Sequence, residues 1–386
     1  MKVLILNDLF EYGGAELHAR LECQLLTRAG HECELVCVET EPGPAGEFTG
    51  LGLGVSPLSE ARQRFVADSS VVGRLGSLLE SRQPDVIHIH NVNLLGRSLL
   101  SAISPFHVVQ TVHDYSFICP KGTAVDDDEA ACSGFKTQSC WRRCRLGARS
   151  LLKRASFGQM LADRIEAGIR YVAPSQDLAD RLGACDLKAT VIHNPYVGAI
   201  SEFTPRRSQQ FLYVGLISPR KGVRLLLEAW SDVAASLDDA RLVLAGSVEQ
   251  GFETEFRSLL ANMGSSVSYL GQVGRSEVTR LYREAFCLVV PSIWLENYPT
   301  TVLEAQAQRT LVVGADRGGI PEMIGDSRCL VDVMGGPDAL AATLIRVARL
   351  TVDEYHAIVD ESAARMAREN APDRYVNRLE KVFATA

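Results

Sequence analysis

At 386 residues the chain is longer than one hydrophobic core usually grows, which predicts two domains. Hydrophobic content of 46% and charged content of 23% are ordinary for a globular protein, and a net charge of −7 argues against a nucleic-acid binder. No apolar stretch reaches the ~18 residues of a spanning helix, and "MKVLILNDLF" reads as a first strand rather than an export signal, so the ten cysteines are expected in a reducing cytoplasm.

In chain order, a strand is predicted at 2–7 (KVLILN), then a glycine turn (GGAE, 13–16) and a helix over 15–29 closed by Gly30. Such a turn lets backbone approach a phosphate or an acceptor, which makes Gly13 and Gly14 candidates, while Glu16 would favour the first helical turn electrostatically. Further strands are predicted at 33–39, 85–91, 107–114 and 170–175. In "HIHN" (88–91), His88 and His90 face the same side of a strand, and the sequence offers no third ligand that would make them a metal pair. His90 and Asn91, like His113 and Asp114, fall at carboxyl ends of strands, where ligands of such sheets sit.

An irregular insertion over about 115–165 follows. Its acidic run Asp126–Glu129 reads as a solvated loop rather than a metal motif. Cys119, Cys132, Cys140 and Cys144, spaced C-x12-C-x7-C-x3-C, either hold a structural zinc or remain plain thiols or a disulfide. Residues 140–164 carry Arg142, Arg143, Arg145, Arg149, Lys153, Arg154 and Arg164 against Asp163, interleaved with Leu146, Leu151, Leu152, Phe157, Met160 and Leu161. This basic amphipathic segment suits an anionic membrane surface or the phosphates of a lipid carrier; the alternative is a solvated helix face.

A polar, Pro/Gly-bearing stretch over 194–210 marks the seam. Beyond it, strands are predicted at 211–217, 241–247, 266–271, 286–292 and 310–315, with a helix over 222–236. These near-continuous apolar runs suit strands buried on both faces of parallel sheets. The chain is therefore expected to be α/β, with two Rossmann-like doubly wound domains, 1–203 and 204–371, facing across a cleft. A last helix over 372–386 puts Tyr375, Leu379 and Phe383 on one face and is expected to pack back on the N-terminal domain.

The stretch "ENYPTTVLEAQ" (296–306) places Glu296 and Glu304 eight positions apart around a predicted helix start. Pro299 suits the helix edge, Thr300 or Thr301 could cap it, and the free N–H groups there favour phosphate oxygens. Glu304 then lies roughly 6 Å along the axis, a fitting offset between a pyrophosphate and the ribose of one nucleotide.

The segment "ENYPTTVLEAQAQRTLVVGADRGGIPEMI" (296–324) resembles the E-x7-E region and following GG-I-P-E turn of retaining glycosyltransferases of family 4. "GGAE", "HIHN", "TVHD" (111–114), "APS" (173–175), "HNP" (193–195) and "VGLISPRKG" (214–222) fall in that family's order. The resemblance implies the GT-B architecture and a nucleotide-diphosphate sugar donor of UDP or GDP type. It implies retention at the anomeric carbon, with transfer to a glycan or lipid-linked acceptor in cell-surface polysaccharide or glycoconjugate synthesis. No cofactor or catalytic metal is expected, and the place of work would be the cytoplasm, with peripheral contact at the inner membrane face.

By the same resemblance, Glu296 would hold hydroxyls of the donor sugar and Glu304 the ribose. Backbone around Asn297, Tyr298, Pro299, Thr300 and Thr301 would meet the diphosphate. Lys221 would neutralise the leaving group, Gly13 and Gly14 would face the reaction centre, and His113 would lie beside the transferred sugar. After the glycine matching Gly215 the family usually carries an arginine; Leu216 stands there, with Arg220 as a substitute, and Arg309 stands where glycine is common. Two rivals are an NAD-dependent oxidoreductase, disfavoured because "NDLFEYGGAE" lacks G-x-G-x-x-G, and a non-catalytic nucleotide-sugar-binding partner of another transferase.

Overall fold

A computed structural model of the chain describes residues 1–10, 13–38, 48–54, 56, 59, 62–63, 65–92, 95–132, 140, 143–144, 149–202 and 209–385. The chain divides into two compact units, Met1–Asn194 with Pro372–Ala386, and Pro195–Ala371. The division follows Asn194 rather than residue 203, because hydrogen bonds from Tyr196 N to Asn370 O (2.8 Å) and from Ser201 N to Ala307 O (2.8 Å) tie residues 196–201 to the second unit.

The first unit runs β1 (Lys2–Asn7), α1 (Gly14–Arg28), β2 (Glu32–Cys37), β3 (Thr49–Gly50), α2 (Ser69–Arg82), β4 (Val86–Ile89), α3 (Gly96–Ile103), β5 (Val108–Thr111), α4 (Arg149–Glu166), β6 (Arg170–Ala173), α5 (Gln176–Gly183) and β7 (Ala189–Val191). Its seven strands form one parallel sheet in the order β3-β2-β1-β4-β5-β6-β7. The second unit runs β8 (Gln210–Val214), α6 (Val223–Ser236), β9 (Arg241–Ala245), α7 (Glu253–Ala261), β10 (Val267–Tyr269), α8 (Arg275–Glu284), β11 (Cys287–Val290), α9 (Thr300–Ala307), β12 (Leu311–Ala315), α10 (Ile320–Ile324), β13 (Leu330–Val331), α11 (Gly336–Ala348) and α12 (Val352–Glu369). Its parallel sheet has the order β10-β9-β8-β11-β12-β13. A final helix, α13 (Pro372–Ala384), belongs to the first unit.

The central strands β4, β5 and β11 are buried at every residue, which is why their sequences lack alternation. Tyr375, Leu379 and Phe383 of α13 join Val3, Ile5 and Leu26 in the core of the first unit. Phe211, Trp230 and Leu288 anchor the core of the second. In each sheet the order reverses at one seam, between β1 and β4 and between β8 and β11. Doubly wound sheets bind ligands outside the carboxyl ends of strands at such switch points.

Two expectations in the insertion change, at Asp126 and Arg164, and the cysteine alternatives narrow. Asp126 is buried, not solvated: its carboxylate accepts from the N–H groups of Asp128 (3.1 Å) and Ala130 (2.9 Å), closing a small turn in which Val125 and Ala131 pair. Cys119, Cys132, Cys140 and Cys144 form no disulfide with one another, and no three of their sulfurs, which lie among the described residues, come within 4.8 Å of one another, in line with the thiol alternative. Arg164 turns inward from the basic run, donating to Phe117 O (3.1 Å) and stacking over the Phe117 ring, and burial brings its pKa down to about 10. Arg142, Arg145 and Leu146 lie outside the described residues, as do the side chains of Arg149, Leu151, Leu152, Lys153 and Arg154.

Candidate active site

In the second unit, β11 runs out into Pro291–Tyr298 before α9 begins. The buried carboxylate of Glu296 is held on one oxygen: Oε1 accepts from Lys221 Nζ (2.6 Å), Ser292 Oγ (2.7 Å) and Trp294 Nε1 (2.8 Å). Three donors on one oxygen fix the plane of the group, and Oε2 has the chemistry to accept from a hydroxyl. The Lys221 ammonium and the Arg220 guanidinium both lie against the Trp294 ring, at 4.9 and 5.3 Å from its centroid. Arg220 also pairs with Glu249.

Two glycines make this packing possible. Gly318 has φ +59, and a Cβ there would sit 2.3 Å from Glu296 O, while Gly319 N donates to that same carbonyl at 2.8 Å. Gly222, beside Lys221, has φ +75, and a Cβ there would come 1.9 Å from Pro291 O. Ile293 N and Trp294 N donate to Arg220 O, at 2.9 and 3.2 Å, fastening the lysine turn to the strand exit. Gly215, just past β8, adopts φ +147, a backbone region that favours glycine, and the carbonyl of Leu216 accepts from Tyr213 Oη at 2.7 Å while its side chain is exposed.

Pro299 is the N-cap of α9, and no side chain caps the helix, so neither Thr300 nor Thr301 plays the capping role expected of it. Their N–H groups are the first two of the helix and have no intrahelical acceptor, a polarity suited to phosphate oxygens. Asn297 is half-buried. Tyr298 is a core residue whose hydroxyl accepts from Asn370 Nδ2 at 3.0 Å, so that side chain supports the turn. One turn further, Glu304 Oε2 accepts from Tyr282 Oη at 3.1 Å. Burial raises the Glu304 pKa, with the Tyr282 hydrogen bond and the Arg275 charge opposing it. Arg309 adopts φ +53, the backbone region glycine favours, and is held there by Ser201 O (3.0 Å) and an ion pair with Asp360.

In the first unit, Gly13 is the N-cap of α1, and Gly14, its first residue, has open space where a side chain would be. Glu16 is buried beneath Gly13 and accepts from Asn91 Nδ2 at 3.3 Å, so it ties the start of α1 to the end of β4 besides complementing the helix dipole. Asn91 N donates to Asn7 Oδ1 at 3.0 Å, completing that link.

Behind it lies a buried polar cluster. Glu22 of α1, fully buried, accepts from His88 Nδ1 and from the Tyr375 hydroxyl. His88 Nε2 lies 2.9 Å from Thr111 Oγ1, His18 Nε2 lies 2.8 Å from Tyr375 Oη, and His90 Nδ1 lies 2.9 Å from His113 Nε2. Burial, with His90 alongside, drives the His18 pKa down to about 3 and carries that of His113 well below the usual imidazole range. Burial also lowers that of His90, though Glu22 opposes it. Burial works to protonate Glu22, but His88 and His90 outweigh it and hold the carboxyl well below its ordinary value.

The expected residues thus fall into two groups, Lys221, Arg220, Glu296, Thr300, Thr301 and Glu304 in the second unit and Gly13, Gly14 and His113 in the first. Sequence reading missed Ser292, Trp294, Tyr282, Glu22, His18 and Tyr375. Trp294 stands two residues before Glu296, within the same strand exit, which is the local signal that could have pointed to it. His18 and Glu22 form an i,i+4 pair on the inward face of α1, which polar residues seldom occupy.

Residues 201–369 match the family "Glycosyl transferases group 1", and residues 12–196 match "Glycosyltransferase Family 4". The phosphatidyl-myo-inositol mannosyltransferase of Mycolicibacterium smegmatis is 25% identical over 353 residues, covering 87% of this chain and 81% of that protein. The D-inositol 3-phosphate glycosyltransferase of Pseudarthrobacter chlorophenolicus is 26% identical over 400 residues and covers 92% of each. The crystal structure of Anabaena Alr3699/HepE in complex with UDP superposes over the whole of both chains with a TM-score of 0.72 at 15% identity, a likeness of fold. The two family matches span nearly all of residues 12–369, both sheets have the doubly wound form, and the chain belongs to the family 4 glycosyltransferases of GT-B fold.

Proposed function

We propose that this glycosyltransferase moves a hexosyl group, with retention, from a UDP- or GDP-type sugar to a hydroxyl of a glycan or lipid-linked acceptor. The observation that carries the reading is the Glu296 carboxylate, held on one oxygen by Lys221, Ser292 and Trp294 just ahead of α9. Its Oε2 receives hydroxyls of the donor sugar, and Glu304 receives those of the ribose. The first N–H groups of α9 and the Lys221 ammonium stabilise the departing diphosphate, where charge develops as the anomeric C–O bond breaks. His113 contacts the transferred sugar. As the acceptor oxygen bonds to the same face of the anomeric carbon, its proton passes to the leaving phosphate oxygen, so no protein nucleophile is required.

The names of the two relatives, one acting on a phosphatidylinositol and one on an inositol phosphate, support a lipid-linked or phosphorylated acceptor. Crystals of Alr3699/HepE with UDP-glucose support a nucleotide-sugar donor. Among the described residues no helix is long and apolar enough to cross a membrane. Contact with an anionic membrane through 140–164 is part of the proposal and rests on the remaining basic run, of which Arg143 is exposed. A panel of UDP-, GDP- and ADP-sugars, scored by thermal stabilisation and slow hydrolysis, tests the donor class. Stabilisation and hydrolysis by a UDP- or GDP-sugar support the reading, and a response to none of the three overturns it.

A further inference from the structure

We propose that the first unit holds a zinc ion among His18, Glu22 and His90, with Tyr375 as the fourth ligand, and that this ion fastens the C-terminal helix α13 to α1 and β4. His18 and Glu22 stand one turn apart on α1, His90 directly follows β4, and all three side chains are buried. One donor atom from each lies within 4.8 Å of the other two. Glu22 Oε2 is 3.3 Å from His90 Nε2 and 3.9 Å from His18 Nε2. Zinc bonds of about 2.0–2.1 Å set the corners of a tetrahedral shell about 3.3–3.4 Å apart. The first edge already fits, and the second closes by about half an ångström. The third ligand that "HIHN" lacks thus comes from α1, with His18 in the place of His88.

Two observations set this cluster apart from an ordinary buried hydrogen-bond network. His90 Nε2 is fully buried and lacks an aligned hydrogen-bond partner, a polar atom that a metal bond would satisfy. Burial opposes the charge of Glu22, yet His88 and His90 hold its pKa well below the ordinary value, and its partners are imidazoles and a phenol rather than a lysine or arginine. A dication supplies the positive charge that a buried carboxylate needs. Burial brings the His18 pKa down to about 3 and lowers that of His90, leaving both rings as neutral imidazoles, the form that ligates metal.

Outer contacts that orient the ligands are in place. Glu22 Oε1 accepts from His88 Nδ1, whose other nitrogen lies 2.9 Å from Thr111 Oγ1, and His90 Nδ1 lies 2.9 Å from His113 Nε2. Tyr375 Oη, on α13, lies 2.8 Å from His18 Nε2 and donates to Glu22 Oε2. As zinc binds, each imidazole keeps its proton on Nδ1 and the phenol proton leaves to solvent. Burial raises the Tyr375 pKa, and a bound dication reverses that direction. Carboxylate, phenolate and two neutral rings then cancel the charge of the ion. Four protein ligands leave no open position, which makes the zinc structural rather than catalytic.

The test is metal analysis of the full chain, purified without a metal-affinity tag from zinc-supplemented medium, in the wild type, Glu22→Gln, His90→Gln and the double variant Cys140→Ser with Cys144→Ser. The expected result is stoichiometric zinc in the wild type and the cysteine variant, and little or none in Glu22→Gln and His90→Gln. Zinc chloride should raise the melting temperature of the chelator-treated wild type and leave that of the two site variants unchanged. Where a variant does not fold, the cobalt-loaded wild type decides. Tetrahedral d–d bands without thiolate-to-cobalt charge transfer support the site, whereas a thiolate band puts the ion on cysteines and overturns it. A wild type that holds no zinc, and whose melting temperature zinc chloride does not raise, also overturns the proposal, as does full zinc content in folded Glu22→Gln and His90→Gln.

Discussion

The ammonium of Lys221 lies 2.6 Å from the Glu296 carboxylate, although 75 residues separate them in sequence. The pair joins the turn after β8 to the exit of β11, the two strands flanking the switch point of the second sheet. Each partner has a glycine at its back where a Cβ would strike backbone, so neither main chain can retreat from the other. This geometry holds a cation and an anion side by side, the arrangement on which the proposed donor site rests.

Lys221→Ala removes the only formal positive charge among the three donors on Glu296 and the counter-charge proposed for the leaving group. Turnover should fall on the order of 10²–10³-fold, the range for losing one preorganised transition-state donor. Donor affinity should change less, because the first turn of α9 remains. Steady-state kinetics with a responsive donor checks this, and unchanged kcat would remove Lys221 from the chemistry.

In its proposed ribose-binding role, Glu304 should make nucleotide binding depend on pH. Its pKa is raised by burial, and it must be ionised to accept from both ribose hydroxyls. Affinity for the nucleoside diphosphate should therefore be full at neutral pH and fall as pH drops through that raised value. The Tyr282 hydroxyl favours the ionised form, so Tyr282→Phe moves the loss to higher pH. Calorimetric titrations from pH 7.5 to 5 check this, with Glu304→Gln as the variant in which this component disappears.

The buried histidines give the first unit an acid-sensitive stability. The His18 pKa is near 6.5 in the unfolded chain and about 3 in the fold, so between those values the unfolded state binds more protons. Stability is full above pH 6.5 and falls as pH drops toward 3, by up to about 1.4 kcal/mol per pH unit for each such group. His90 and His113 shift in the same direction. Glu22, held low, adds its own loss only below the ordinary carboxylate range. Denaturation at pH 7.5, 6.5 and 5.5 should show a decline that His18→Gln makes shallower; equal slopes would refute the assignment.

Legibility in the sequence followed the range of the interactions. "KVLILN" matched β1 residue for residue, because a strand buried on both faces needs only its own apolar run. The strands Ala189–Val191 and Leu330–Val331 were invisible, since two or three residues carry no period. Glu296 and Glu304 stood out because strand exit, proline and helix are contiguous. Trp294 was as near, but its donation to Glu296 depends on the backbone turn that Arg220 O holds. Tyr375 meets Glu22 across 353 positions, and only the return of α13 to the first unit brings them together. The expected threonine cap failed because Pro299 itself occupies the N-cap.

The central claim is that Glu296 and Glu304 grip two parts of one donor molecule. It is tested most directly by comparing Glu304→Ala and Glu296→Ala for nucleoside-diphosphate affinity and for turnover with the responsive donor. Glu304→Ala should weaken nucleoside-diphosphate binding by about tenfold or more, since each charge-assisted hydrogen bond lost at the two ribose hydroxyls costs about 1.5–3 kcal/mol, whereas Glu296→Ala should bind it nearly as the wild type and lose turnover. Wild-type affinity and turnover in both variants would contradict it.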